Sequence, residues 1–214
     1  MADQDLIRET ATSIVDKLNK GEVTPLDLLD VLEKRIAEVD GKVNALPTLC
    51  FDRARRHAAE LMKRPKGERG LLSGMPIPIK DLTDVAGVLT TQGSPIYKDT
   101  IPAKSDILVE HLENNGGVIY AKSNTPEFGA GANTFNEVFG PTRNPWDTSR
   151  SAAGSSAGAA ASWAPAAVAS PTTAAQASRA SRKSPRAGVD SVTLTISPRW
   201  AAEGALARRT TPAQ

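Results

Sequence analysis

Apolar side chains return at helical spacing from the start of the chain: Leu6, Ile7, Ala11, Ile14, Val15 and Leu18 lie on one face, and Gly21 follows as a stop. This predicts one amphipathic helix from Leu6 to Leu18. Thr24 and Pro25 then supply an N-cap with proline at the first helical position. Leu28, Leu29, Val31, Leu32 and Ile36 continue a second helix to about Val39. A third is expected over Ala54 to Lys63. A fourth is expected from Asp106 to Asn115, capped by Ser105 and terminated at Gly116-Gly117. Between them, Pro76-Ile77-Pro78-Ile79 is extended, because each proline excludes helix for its predecessor, and it delivers Lys80 to its end. Val118-Ile119-Tyr120-Ala121 reads as a short buried strand. Helices alternating with short apolar strands predict an α/β protein.

Composition narrows the function. With 214 residues, 40% of them hydrophobic, the chain can bury a core. Aromatics at 4% leave few rings for stacking on bases, which argues against an RNA-recognition module. One cysteine, Cys50, cannot close an internal disulfide, and His57 and His111 are too few for a Cys/His zinc cage; no metal and no cofactor are expected. Cys50 is expected to be a small buried hydrophobe, and both histidines to be ordinary helical residues. MADQDLIRET carries acids where a secretory signal needs basic then apolar residues, so a cytoplasmic protein without membrane partners is expected. Charge divides the chain. Up to Arg150 there are 19 basic against 22 acidic residues, and beyond it 7 against 2, with Ala, Ser, Thr, Pro and Arg dominating after Ser162.

Two segments invite chemistry. Ser151-Ala152-Ala153-Gly154-Ser155-Ser156-Ala157-Gly158 has only small side chains, which suits either a flexible linker or a backbone that something approaches closely. The lysine of a phosphate-binding loop is absent after Gly158. Lys80 follows an apolar stretch, where desolvation would favour the neutral amine, a usable general base; a solvated surface charge beside Asp81 is the alternative.

Taken together, the order PIPIKDL, GSP, KSNTPEFG, GPTRNPWD, RSAAGSSAG resembles the amidase signature family across residues 1–162. The resemblance implies the amino-terminal portion of an α/β/α mixed-sheet amidase core that hydrolyses a small carboxamide, or delivers ammonia as part of an amidotransferase. It further implies a Ser-cisSer-Lys mechanism in which Lys80 is the lysine and Ser155 the bridging cis-serine. Ala153 and Ala157 stand where that family commonly has glycine. Asp81, Thr125, Glu127 and Asn144 lie in family-like segments and are assigned structural roles in caps, turns and strand ends.

The family's nucleophile segment, Asp-x-Gly-Gly-Ser-x-Arg, does not occur in these 214 residues. Residues 163–214 are therefore expected to be a low-complexity, disordered tail, natural or the product of a reading-frame slip. Shifted by one base, codons for Pro171 to Gln176 can encode Asp-Asp-Gly-Gly-Ser. A chain truncated in this way before its nucleophile is expected to be inactive. The competing expectation is a non-catalytic binding protein: a pseudoenzyme, or a weak nucleic-acid binder through Arg179, Arg182, Lys183 and Arg186. Oligomeric state and the particular amide are not legible.

Overall fold

The computed structural model describes residues 6–162. The basic stretch 179–186, the strand-like stretch 192–196 and the tail expected over 163–214 lie outside the described residues.

Local chemistry accounts for the helices. Helix α1, Ala11–Lys20, begins at Thr10, whose side chain accepts a hydrogen bond from Ser13 N, and ends at Gly21, φ 78°, whose N–H reaches Lys17 O and Leu18 O. The single helix expected from Leu6 is thus interrupted: Leu6 and Ile7 are helical, but Thr10 is extended and restarts the helix as a cap. Leu6, Ile14 and Leu18 still share one cluster with Val23, Leu28 and Met75. Helix α2, Pro25–Val43, has Pro25 in its first turn and a reciprocal capping box between Thr24 and Asp27. It runs past the expected Val39 to Asn44, which takes the left-handed conformation, and the Asp40 carboxylate then accepts Ala45 N and Leu46 N.

Helix α3 spans Phe51–Met62 and helix α4 Ile107–Asn114. The cap of α4 is Asp106, which accepts Leu108 N at 2.9 Å; Ser105, the expected cap, accepts Ala86 N instead. Aspartate wins the position because it lies one residue closer to the free N–H groups.

Strands β1 (Thr48–Leu49), β2 (Pro76–Lys80) and β3 (Val118–Ser123) form a mixed sheet in the order β1-β3-β2. β1 runs antiparallel to β3 and β2 parallel to it, with a register shift between Ile77 and Pro78. β3 is buried throughout. One face packs on α2 and α3 through Leu29, Ile36, Phe51, Ala58 and Tyr120. The other packs Ile79 and Ile119 on Val85, Val88 and Val109 of α4. The sheet therefore sits between helical layers, the α/β/α arrangement expected of an amidase-type core.

Beyond β3, strands β4 (Arg143–Asn144) and β5 (Asp147–Ser151) form a small antiparallel hairpin. Helix α5, Ala157–Ser162, then returns over β2 and β3. Its Ala161 joins the α2/α3 cluster, which places it on that face of the sheet. Among the described residues no helix is long and apolar enough to cross a membrane.

Candidate active site

The parallel pair β2/β3 ends at one crest, and crevices beyond the carboxyl ends of parallel strands are where open α/β sheets place their sites. Lys80 is the last residue of β2, half-buried, and its Nζ lies 3.3 Å from Ser155 Oγ and 3.1 Å from Ser156 Oγ. Both serines belong to the turn that opens α5. Burial lowers the Lys80 pKa from the ordinary lysine value. The shift displaces the amine toward the neutral form that can accept a proton.

The small-residue loop is tight at one point. A Cβ on Gly158 would fall 2.2 Å from Asn124 O and 2.6 Å from Asn124 N, so only glycine lets α5 press against the end of β3. Ala157 is buried and Ala153 exposed; both methyls are accommodated. Gly154 takes φ 99°, and a Cβ there would meet nothing within 4 Å. The cis-serine geometry implied by the family resemblance is absent, since no cis peptide bond occurs among the described residues.

Beneath the crest lies a buried ion pair whose lysine the sequence reading did not single out. Lys122, on β3 and fully buried, sits 3.3 Å from Asp81 and donates to Thr83 O at 2.8 Å and Thr90 Oγ1 at 2.7 Å. Asp81 also accepts from the N–H and hydroxyl of Thr91. Burial lowers the Lys122 pKa, and the Asp81 carboxylate opposes that shift. The signal available in sequence was a lysine closing an apolar strand, Val118-Ile119-Tyr120-Ala121-Lys122. Ser156 was missed too, although its adjacency to Ser155 was visible.

The remaining candidates are structural in geometry. Glu127 accepts Ser94 Oγ at 2.7 Å, Thr125 Oγ1 donates to Pro126 O, and Asn144 Oδ1 accepts Trp146 N at the hairpin turn. His57 lies 3.5 Å from Glu113, with burial lowering its pKa. Cys50 is half-buried, its thiol directed at Ile119 O and its pKa pushed up to about 11 by burial. No group of three His, Cys, Asp or Glu residues able to hold a metal occurs among the described residues. An apolar cavity of about 120 Å³ opens between α2, β2 and α5, lined by Leu28, Leu32, Pro76, Pro78, Tyr120 and Ala161; Lys80 and the serines are not part of it.

A sequence model of the family described as Amidase matches residues 27–186, well over half of the chain. The chain belongs to the amidase family. The match runs past Ser162, where the composition changes. Among relatives, a glutamyl-tRNA(Gln) amidotransferase subunit from Halothermothrix orenii is 40% identical over 152 residues, covering 71% of this chain and 31% of that protein. An acylamidase of Rhodococcus erythropolis is 35% identical over 158 residues, covering 73% and 33%. In three dimensions, the amidase-type core is similar to 6-aminohexanoate cyclic dimer hydrolase, with a TM-score of 0.67 at 28% identity over 75% of this chain and 32% of that one. The chain spans about a third of the length of these relatives.

Proposed function

We propose that these residues form the base-and-relay half of a hydrolase site that cleaves a carboxamide C–N bond in the cytoplasm. The observation that carries this reading is the contact of a desolvated Lys80 with Ser155 at 3.3 Å, at the carboxyl end of a parallel strand. Neutral Lys80 takes a proton from Ser155 as Ser155 takes one from the attacking hydroxyl. When the tetrahedral intermediate collapses, the proton returns through Ser155 to the departing nitrogen. The 214 residues hold no Asp-x-Gly-Gly-Ser-x-Arg segment to supply that hydroxyl and its oxyanion donors. Loss of oxyanion donation alone costs about 10² to 10³ in rate, and loss of a nucleophile several powers of ten. This stretch by itself is therefore inactive, a consequence that fits a frame slip beyond Ser162.

A second reading rests on Ser156. It is exposed and lies 3.1 Å from Lys80, which also suits a two-residue Ser-Lys hydrolase with Ser156 as nucleophile.

Ammonia release from simple aliphatic and aromatic amides separates these readings. It is measured for the 214-residue chain and for one whose frame beyond Ser162 is restored to a family-like continuation. We expect no turnover from the first, and from the second a turnover that falls by at least about 10³ in Lys80→Ala. Restored activity that survives Lys80→Ala refutes the base assignment. Turnover by the 214-residue chain that is lost in Ser156→Ala and kept in Ser155→Ala establishes the second reading instead.

A further inference from the structure

An ammonium group has three N–H donors. Lys80 Nζ has two partners in the structure, Ser155 Oγ and Ser156 Oγ. The neighbouring strand offers a third. Lys80 and Ser123 are Cα partners in the parallel β2/β3 register, so their side chains leave the sheet on the same face. Ser123 is fully buried, and its Oγ has no hydrogen-bond partner among the described residues. A buried hydroxyl without a partner is disfavoured unless some state of the protein uses it. The start of α5 is pressed at Gly158 against Asn124, the residue after Ser123, and the turn before it brings Ser155 and Ser156 to Lys80.

Resting on the proton-relay reading of Lys80, we propose that Ser123 is a positioning residue for the base, its hydroxyl accepting the third hydrogen of the Lys80 ammonium once the lysine has taken a proton from the serines. The resting arrangement directs Lys80 at the serines alone; proton uptake adds the donor that calls on Ser123. No covalent bond changes, and the proton leaves again by the route it came. Among the described residues few other charges bear on Lys80. α5 carries none, and β3 carries Lys122, engaged with Asp81. The turn after β2 carries Asp84, and α2 contributes Arg35 and Asp40 beside Pro76 and Pro78 at the other end of the strand.

The test titrates Lys80 in the intact chain. Trace acetylation with acetic anhydride is followed against pH by mass spectrometry of the Lys80 peptide, with exposed Lys63 as internal reference. Removing one acceptor of the charged form in Ser123→Ala lowers the Lys80 midpoint by about half to one pH unit. Ser123→Thr, which keeps the hydroxyl, leaves it in place. Ser123→Cys, isosteric with a weak acceptor, shifts it as alanine does and stands in should the alanine variant fail to fold. An unchanged midpoint in the alanine and cysteine variants, or an equal fall in Ser123→Thr, overturns the proposal. A wild-type Lys80 midpoint at or above that of Lys63 refutes the neutral-lysine reading itself, independently of Ser123.

Discussion

Lys80 and Cys50 show how one cause, burial, acts in opposite senses on two groups. Each loses its charged form: the ammonium pKa falls and the thiol pKa rises to about 11. For Cys50 the raised folded-state value means that the thiol contributes stability in full below its unfolded pKa near 9, and that this contribution is lost as pH rises through about 11. Iodoacetamide at pH 8 is expected to label Cys50 slowly in the folded chain and rapidly in urea, read as mass increase with time. Equal rates in the two conditions would show that the thiolate is accessible in the fold. Residue type alone marked the cysteine as a small buried hydrophobe, and the fold leaves it half-buried.

Strand β3 carries a buried lysine inside the sheet, and the cost of its charge is met by Asp81, Thr83 and Thr90 from the segment that follows β2. Removing one partner of such a pair leaves an uncompensated charge and costs about 3–5 kcal/mol, whereas replacing both with apolar groups is often near neutral. Urea unfolding should therefore find Asp81→Leu destabilised by that amount and the double variant with Lys122→Met recovering much of it. Additive losses in the double variant would mean that the pair is not coupled. The pair also ties the end of β2 to β3 next to Lys80, so the element that holds Lys80 is fixed by a contact across the sheet. Capping at Thr24 and termination at Gly21 needed no such contact: their chemistry is confined to three or four successive residues, which is why both were legible in the chain.

Across the whole molecule, large apolar side chains are left on the surface. Ile96 is 76%, Ile101 63%, Ile107 70% and Leu108 54% exposed, and the edge-on pair Tyr97 and Phe128 lies at 38% and 49%. Large apolar side chains left on the surface are an aggregation liability. The outer edge of β2 within the described sheet carries Pro76 and Pro78, which lack N–H donors and so blunt strand addition. Apolar association is thus the expected route to poor solubility, rather than edge pairing. An environment-sensitive apolar dye should bind the native chain, and Ile107→Lys with Ile96→Lys should reduce both dye binding and light scattering. Scattering unchanged by these substitutions would place the liability elsewhere.

Helix and strand identity, the Thr24 and Gly21 signals and the candidacy of Lys80 and Ser155 were decided by short-range patterns, because periodicity and capping depend on residues a few positions apart. The cap at Thr10 and the use of Asp106 in place of Ser105 were decided by competition among neighbouring side chains, which composition at those positions did not rank. Only the folded chain joined Lys80 to Ser155 and Ser156 across 75 and 76 residues, paired Lys122 with Asp81, and set Ser123 beside Lys80. Those contacts depend on strand register and on the close approach at Gly158. Both arise from packing between segments distant in sequence, where no local pattern reports the partner.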